Sequence, residues 1–217
     1  MKIFQNGKLF VYSGVILIGV GFILLLYLFI PIIAIEVSYL LNKNSYNTYQ
    51  VAQTEDIAQT MAIIQNVNIN TIIIPKSTQF GLIIPKLNIN EDVYENVDPF
   101  NKANYNYFLT KGVAQAKGSG LPGSNQGVFI FAHSARDFLL AQQYNAQFYL
   151  LNNLGKDDLI YVYYQNQEYK YQVTSKEVVN PDITSVISTI PQNELILMTC
   201  YPAGLDAQRL LVRARIY

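Results

Sequence analysis

The sequence predicts an all-β domain with short helices, preceded by one N-terminal membrane-spanning helix. Residues 9–35 contain no charged side chain, and a helix of that length, about 40 Å, can cross a bilayer. From about Gly81 onward, short strand-like segments recur between turn signals, which is typical of a β-sandwich or barrel. The chain of 217 residues is 51% hydrophobic and 13% aromatic, which is ample for a core.

Charge and cysteine content exclude some classes of protein. The 15 basic and 15 acidic residues leave no net charge, so the chain has no electrostatic footprint for nucleic acid. Cys200 is the only cysteine, which excludes an intrachain disulfide, and His133 is the only histidine.

The N-terminal apolar segment is interpreted as an uncleaved anchor at residues 9–35. Lys2 and Lys8 precede it, whereas the first charge after it is Glu36. The positive-inside rule therefore predicts that residues 1–8 are cytoplasmic and that the remaining domain is extracellular. A signal peptide is the alternative, but its apolar region is only about 7 to 15 residues long.

Residues 36–80 are polar for most of their length, and we interpret them as an extracellular stalk or linker before a barrel domain at 81–217. Pro85 indicates a sheet edge or a bulge in the first strand of that domain. No βαβ unit is expected. Strands are expected at 81–87, 93–97, 127–132, 158–164, 168–174, 195–199 and 209–216, short helices at 101–110 and 182–188, and a loop at 117–125.

The two single-copy reactive residues both follow apolar strands. His133 comes directly after the apolar run at 127–132, and Cys200 comes directly after the run at 195–199. A cysteine is a nucleophile only as thiolate, and histidine can supply the base or the cation that this requires. The alternatives are a buried, inert thiol and a structural histidine. The shared position at strand ends favours a Cys/His nucleophilic site.

The last strand adds a cation to this site. Arg209 lies nine positions after Cys200, across a turn-forming stretch, so the two strands can pair as antiparallel neighbours. This pairing would place the guanidinium beside the sulfur, where it could stabilise an oxyanion or orient a substrate. Arg213 and Arg215 are interpreted as part of a solvated strand face.

These residues resemble the motifs of a known family. The segments Phe131–Ser134, Leu197–Cys200 and Arg209–Arg213 are similar to the His, TLxTC and Arg motifs of sortases, the membrane-anchored cysteine transpeptidases of bacterial surfaces. The resemblance extends over about Gly81 to Tyr217. Ile196 stands where the first Thr of TLxTC is usual, and Ala132 stands where many members have Gly.

The resemblance implies an eight-stranded β-barrel with Cys200 as the nucleophile, His133 as the proton-transfer partner and Arg209 as the oxyanion or substrate stabiliser. Thr199 matches a position that helps hold the substrate. It further implies that an LPxTG-like sorting signal is cleaved through a thioester. The surface protein would then be transferred to an amine of a cell-wall precursor or a pilin, with no metal or organic cofactor required.

Two other functions remain open at this point. The chain could be a non-catalytic, membrane-anchored binding or assembly module with a buried Cys200, or a cysteine peptidase that transfers the acyl group to water.

Asp98-Pro99-Phe100 resembles the lid tripeptide of pilus-building sortases, but it follows the first strand, so we interpret it as a helix start. The acidic residues at 91–98 lack the ligand spacing of a calcium site.

Overall fold

The computed structural model describes residues 3–46, 50–51, 72–134, 147–203 and 205–217. It divides into two compact units, Met1–Leu40 and Leu41–Tyr217. Helix α1 covers Ile3–Tyr46. It includes one segment that is long and apolar enough to cross a membrane, Phe10–Tyr27, with a mean hydropathy of 2.3. Most of the predicted stalk, residues 47–49 and 52–71, lies outside the described residues.

Eight strands close into a barrel, which confirms the predicted fold class. Two short strands, β1 (Gln50–Val51) and β2 (Ile72–Ile73), form a separate parallel pair. The barrel strands are β3 (Phe80–Ile84), β4 (Ile89–Val97), β5 (Val113–Ala116), β6 (Val128–Phe131), β7 (Leu159–Tyr164), β8 (Gln167–Val179), β9 (Glu194–Tyr201) and β10 (Gln208–Ile216). Their order around the barrel is β10-β8-β7-β3-β4-β5-β6-β9. The helices are α2 (Lys102–Leu109) and α3 (Thr184–Ser188), with 3₁₀ turns at Pro85–Leu87 and Tyr149–Asn153.

The first barrel strand is shorter than the sequence predicts. Strand β3 pairs with β4 on one side and β7 on the other, so it is not an edge strand. It ends at Ile84, and Pro85 begins the 3₁₀ turn because its ring fixes φ and removes the N–H that a strand would use. Asn88, with φ 54°, closes the turn in the left-handed region. The expected edge or bulge at Pro85 is therefore wrong.

The expectation of no βαβ unit is also wrong. Strands β4 and β5 are parallel neighbours, and α2 connects them. The side chain of Asn101 caps α2 by accepting from the backbone N–H of Asn104 at 3.1 Å. Sequence reasoning missed β5 as a strand because its four residues are all buried and show no alternation.

A second parallel pair positions the functional residues. Strand β6 runs parallel to β9, with Phe131 opposite Met198, so the C-terminal ends of both strands reach the same rim of the barrel. On its other side, β9 pairs antiparallel with β10. All four residues of β6 and the first six of β9 are buried, which anchors the strands that lead to this rim.

Gly127 lies just before β6, where the chain passes close to the segment leading into β9. A Cβ here would lie 2.3 Å from Ile190 Cγ2 and 2.4 Å from the Pro191 carbonyl oxygen. We expect Gly127→Ala to lower the free energy of unfolding by about 1 to 3 kcal/mol, because the backbone must shift. In the control, Gly155→Ala, the nearest atom is Asp158 Oδ2 at 3.8 Å. Equal thermal stability of the two variants would contradict the close approach.

Candidate active site

A cleft of about 200 Å³ opens at the rim of the barrel where β6 and β9 end. His133, Cys200 and Arg209, the three predicted catalytic residues, all line it. Much of the remaining wall is apolar. These apolar residues include Phe100, Leu109, Phe131, Ile183, Met198 and Leu205.

Cys200 and Arg209 are direct cross-strand partners. The register pairs Cys200 of β9 with Arg209 of β10, which confirms the antiparallel pairing expected from their spacing. Directly opposed residues in an antiparallel pair project from the same face, so the thiol and the guanidinium are neighbours. Cys200 is partly exposed, and the Arg209 side chain is 17% exposed, so solutes can reach the thiol while the arginine is largely enclosed.

Asp206 joins this pair, and the sequence analysis did not predict it. Its Oδ1 lies 2.8 Å from Nη1 of Arg209. The same oxygen accepts a hydrogen bond from Sγ of Cys200 at 3.6 Å. Nη1 of Arg209 also donates to the carbonyl of Gln208 at 3.0 Å. One carboxylate oxygen therefore contacts both predicted functional groups of the β9–β10 hairpin.

Two backbone contacts fix the approach to His133, one to β9 and one to the residue before the 3₁₀ turn at Tyr149–Asn153. The N–H of Ala132 donates to the carbonyl of Met198 at 3.2 Å. The carbonyl of His133 accepts from the N–H of Phe148, also at 3.2 Å. Only 7% of His133 is exposed, so the imidazole is held in the wall of the cleft and not in bulk solvent.

Helix α2 contributes side chains that sequence reasoning missed. The ring centroid of Tyr105 lies 6.1 Å from that of His133 at an interplanar angle of 65°, and 6.2 Å from that of Phe131 at 86°. Both are edge-to-face contacts. Pro99 and Phe100 come just before α2 and also line the cleft, so the segment interpreted as a helix start has a second role. No sequence pattern places α2 beside His133, because the contact depends on the crossover from β4 to β5.

Thr199, predicted to help hold the substrate, is 3% exposed. Its hydroxyl donates to the carbonyl of Ala132 at 3.0 Å, which ties β9 to the residue before His133. Its predicted contact with substrate stays a prediction.

We expect Thr199→Val to slow acylation of Cys200 by about 10-fold, because small misplacements of reacting groups are costly. The rate of acylation by p-nitrophenyl acetate measures this effect. Thr174→Val is the control, since its hydroxyl donates to the Arg213 carbonyl elsewhere on the barrel. Equal acylation rates in both variants would show that the Thr199 hydroxyl does not position the site.

Other charged groups form ion pairs outside the cleft. Within the described ranges, no cluster of three His, Cys, Asp or Glu residues could hold a metal ion. Lys76 pairs with Glu91 at 2.9 Å, and this hydrogen bond raises the pKa of the lysine. Arg213 pairs with Glu177 at 2.7 Å and with the mostly buried Glu194 at 3.5 Å. On the strand face predicted as solvated, the Arg215 side chain is indeed 69% exposed, whereas Arg213 is only 28% exposed and belongs to an ion-pair network.

Comparison with known proteins agrees with this architecture. Residues 82–217 match the family model of the sortase domain. The chain belongs to the sortase family. Sortase D of Bacillus subtilis (strain 168) is 30% identical to this sortase over 122 residues, which cover 56% of this chain and 53% of that protein. The chain therefore matches about half the length of this curated relative.

Solved sortase structures share the fold. Sortase C-1 from Actinomyces oris is 24% identical, with a TM-score of 0.54, and the match covers 86% of this chain and 98% of that one. Sortase C1 from Streptococcus agalactiae is 26% identical, with a TM-score of 0.52 and coverage of 63% and 66%. Members of the sortase family are cysteine transpeptidases. Helix α1 of this sortase is consistent with a membrane anchor.

Proposed function

We propose that this sortase is a membrane-anchored cysteine transpeptidase. It cleaves an LPxTG-like sorting signal through a thioester on Cys200 and transfers the surface protein to an amine of a cell-wall precursor or a pilin. The observation that supports this most directly is the cross-strand pair of Cys200 and Arg209 in a cleft that His133 also lines.

The proposed reaction has two acyl transfers. Sγ of Cys200 attacks a backbone carbonyl of the sorting signal, and a guanidinium N–H of Arg209 stabilises the oxyanion. The C–N bond then breaks, and the thiol proton leaves with the departing amine through His133. In the second step the acceptor amine attacks the thioester, loses a proton and releases the thiol.

The walls of the cleft fit an apolar peptide. Phe100 is 62% exposed and Leu205 is 59% exposed, although both line the cleft. Apolar walls with a few convergent polar groups are typical of ligand sites, because burial gives affinity and the polar groups give orientation. Leucine and proline side chains of a sorting signal could cover these surfaces.

We also propose a location, and the apolar segment of helix α1 supports it. Lys2 and Lys8 lie before the apolar segment, so we place residues 1–8 in the cytoplasm, the anchor at 9–35 and the barrel domain at 81–217 outside. Residues 36–80 would form the linker. An enzyme and a substrate that are both confined to a membrane meet at a high effective concentration.

The experiment that tests the proposal uses the full chain in detergent and a library of LPxTG-like peptides. We expect a covalent adduct on Cys200 by mass spectrometry. Added triglycine or a lysine derivative should increase turnover and yield a ligated product. Cleavage that no amine accelerates or diverts would instead show a peptidase that transfers to water.

The reactivity of the thiol distinguishes an enzyme from a binding module. We expect a methanethiosulfonate reagent to modify Cys200 quickly in the folded chain, and His133→Ala to change the rate. A thiol that reacts only after denaturation would support the binding module.

A further inference from the structure

Asp206 lies in the connection between β9 and β10, between the thiol and the guanidinium. It is the only acidic residue between Cys200 and Arg209 in the sequence. Its Oδ1 is 2.8 Å from Nη1 of Arg209 and 3.6 Å from Sγ of Cys200. Neither the sortase motifs described above nor the proposed reaction assigns a role to this residue.

Strand pairing alone does not fix the end of the Arg209 side chain. The register with Cys200 sets the position of its Cα, but several rotatable bonds separate that atom from the guanidinium. Two acceptors restrict it, the Asp206 carboxylate and the Gln208 carbonyl, and both engage Nη1. Within the described part of the chain, Nε and Nη2 of Arg209 have no hydrogen-bond partner. The guanidinium of Arg209 is therefore held through Nη1, and the N–H groups of Nε and Nη2 remain available to donate to a substrate oxygen.

The contact with Cys200 belongs to the resting thiol. An ionised carboxylate can only accept hydrogen bonds, so the thiol is the donor at 3.6 Å. When the thiol loses its proton, this contact becomes a repulsion between two anions, whereas the ion pair with Arg209 persists. The lasting partner of Asp206 during acyl transfer is therefore the arginine.

We propose that Asp206 is a positioning residue that orients Arg209 for the oxyanion formed at Cys200. This inference rests on the proposed function of Arg209. Asp206 is 67% exposed and Arg209 is 17% exposed, so the carboxylate secures the guanidinium from the solvent side of the cleft. It needs no contact with the substrate to do so.

The test compares two reactions of Cys200 in the full chain in detergent. In acylation by p-nitrophenyl acetate, Sγ attacks the carbonyl carbon and an oxyanion forms; the C–O bond then breaks, nitrophenolate leaves, and the thiol proton passes to solvent. Alkylation by iodoacetamide displaces iodide and forms none. We expect Asp206→Ala to lower the ratio of acylation to alkylation rates by about 10-fold. Asp206→Asn, which retains an acceptor oxygen, should lower it by only about 2-fold. A Cys200→Ala chain corrects for other acylated groups.

Repeating the Asp206→Ala substitution in an Arg209→Ala chain distinguishes a positioning role of Asp206 from a structural one. In Arg209→Ala chains, we expect Asp206→Ala to change the ratio by less than about 2-fold, because no guanidinium remains to be oriented. Asp92→Ala is the control for loss of a carboxylate, since Asp92 lies outside the cleft and faces Lys76 at 3.9 Å. A wild-type ratio in Asp206→Ala, or an equal loss in both backgrounds, would overturn the inference. Because neither reagent is a peptide, a failure to cleave sorting signals would count against the proposed function alone.

Discussion

Cys200→Ala is expected to form no acyl-enzyme and to reduce peptide cleavage by about 10⁴-fold or more. Loss of a nucleophile removes the covalent route altogether, and only binding and the remaining polar groups can then act. The chain has no second cysteine to substitute for it. Intact-mass measurement after incubation with peptide should show no adduct, and product formation should fall to the background rate.

The substitution is conservative for the fold. Cys200 is partly exposed at the rim, so alanine should leave thermal unfolding close to that of the wild type. An adduct on the Cys200→Ala chain, or cleavage at the wild-type rate, would show that the reacting group lies elsewhere.

Arg209→Ala is expected to slow acylation of Cys200 by about 10²- to 10³-fold, as the loss of one oxyanion donor commonly does. Arg209→Lys should recover only part of this rate, because an ammonium lacks the planar fork that presents several donors at fixed angles. Single-turnover kinetics with peptide, followed by the appearance of the thioester, measure the step directly.

Arg213→Ala is the matched control on the same strand. Arg213 pairs with Glu177 and Glu194 and does not line the cleft, so its loss should lower stability while acylation stays within about 3-fold of the wild type. An equal loss of activity in both arginine variants would show that acylation does not specifically require the guanidinium of Arg209.

Local patterns in the sequence predicted much of the site. An apolar run ending at Cys200, a turn and an alternating strand beginning near Arg209 define a hairpin, and its register follows from which face is buried. The pairing of Cys200 with Arg209 was therefore predictable and is confirmed. The site also requires β6 beside β9. Their first pair, Val128 and Leu195, is far apart in the sequence, and no local pattern specifies such a parallel pairing.

The features that sequence reasoning missed depend on tertiary contacts. Tyr105 reaches His133 only because α2 crosses from β4 to β5, and β5 itself is too short and too uniformly buried to show a period. Because β5 was not predicted, the βαβ unit formed by β4, α2 and β5 was not predicted either. Asp206 left a weak trace as the one acidic residue in the β9–β10 connection, but its contact with Arg209 becomes visible only in the folded hairpin.

Closure of the barrel limits how a peptide can be recognised. Strand β9 has β6 on one side and β10 on the other, so the backbone groups that pair these strands are already used. Over Leu195–Met198, where both neighbouring strands pair with β9, a peptide therefore cannot dock by adding a further strand, as peptides do at open sheet edges. Along this part of the sheet, we expect selectivity for a peptide to come from the side chains that line the mouth of the cleft.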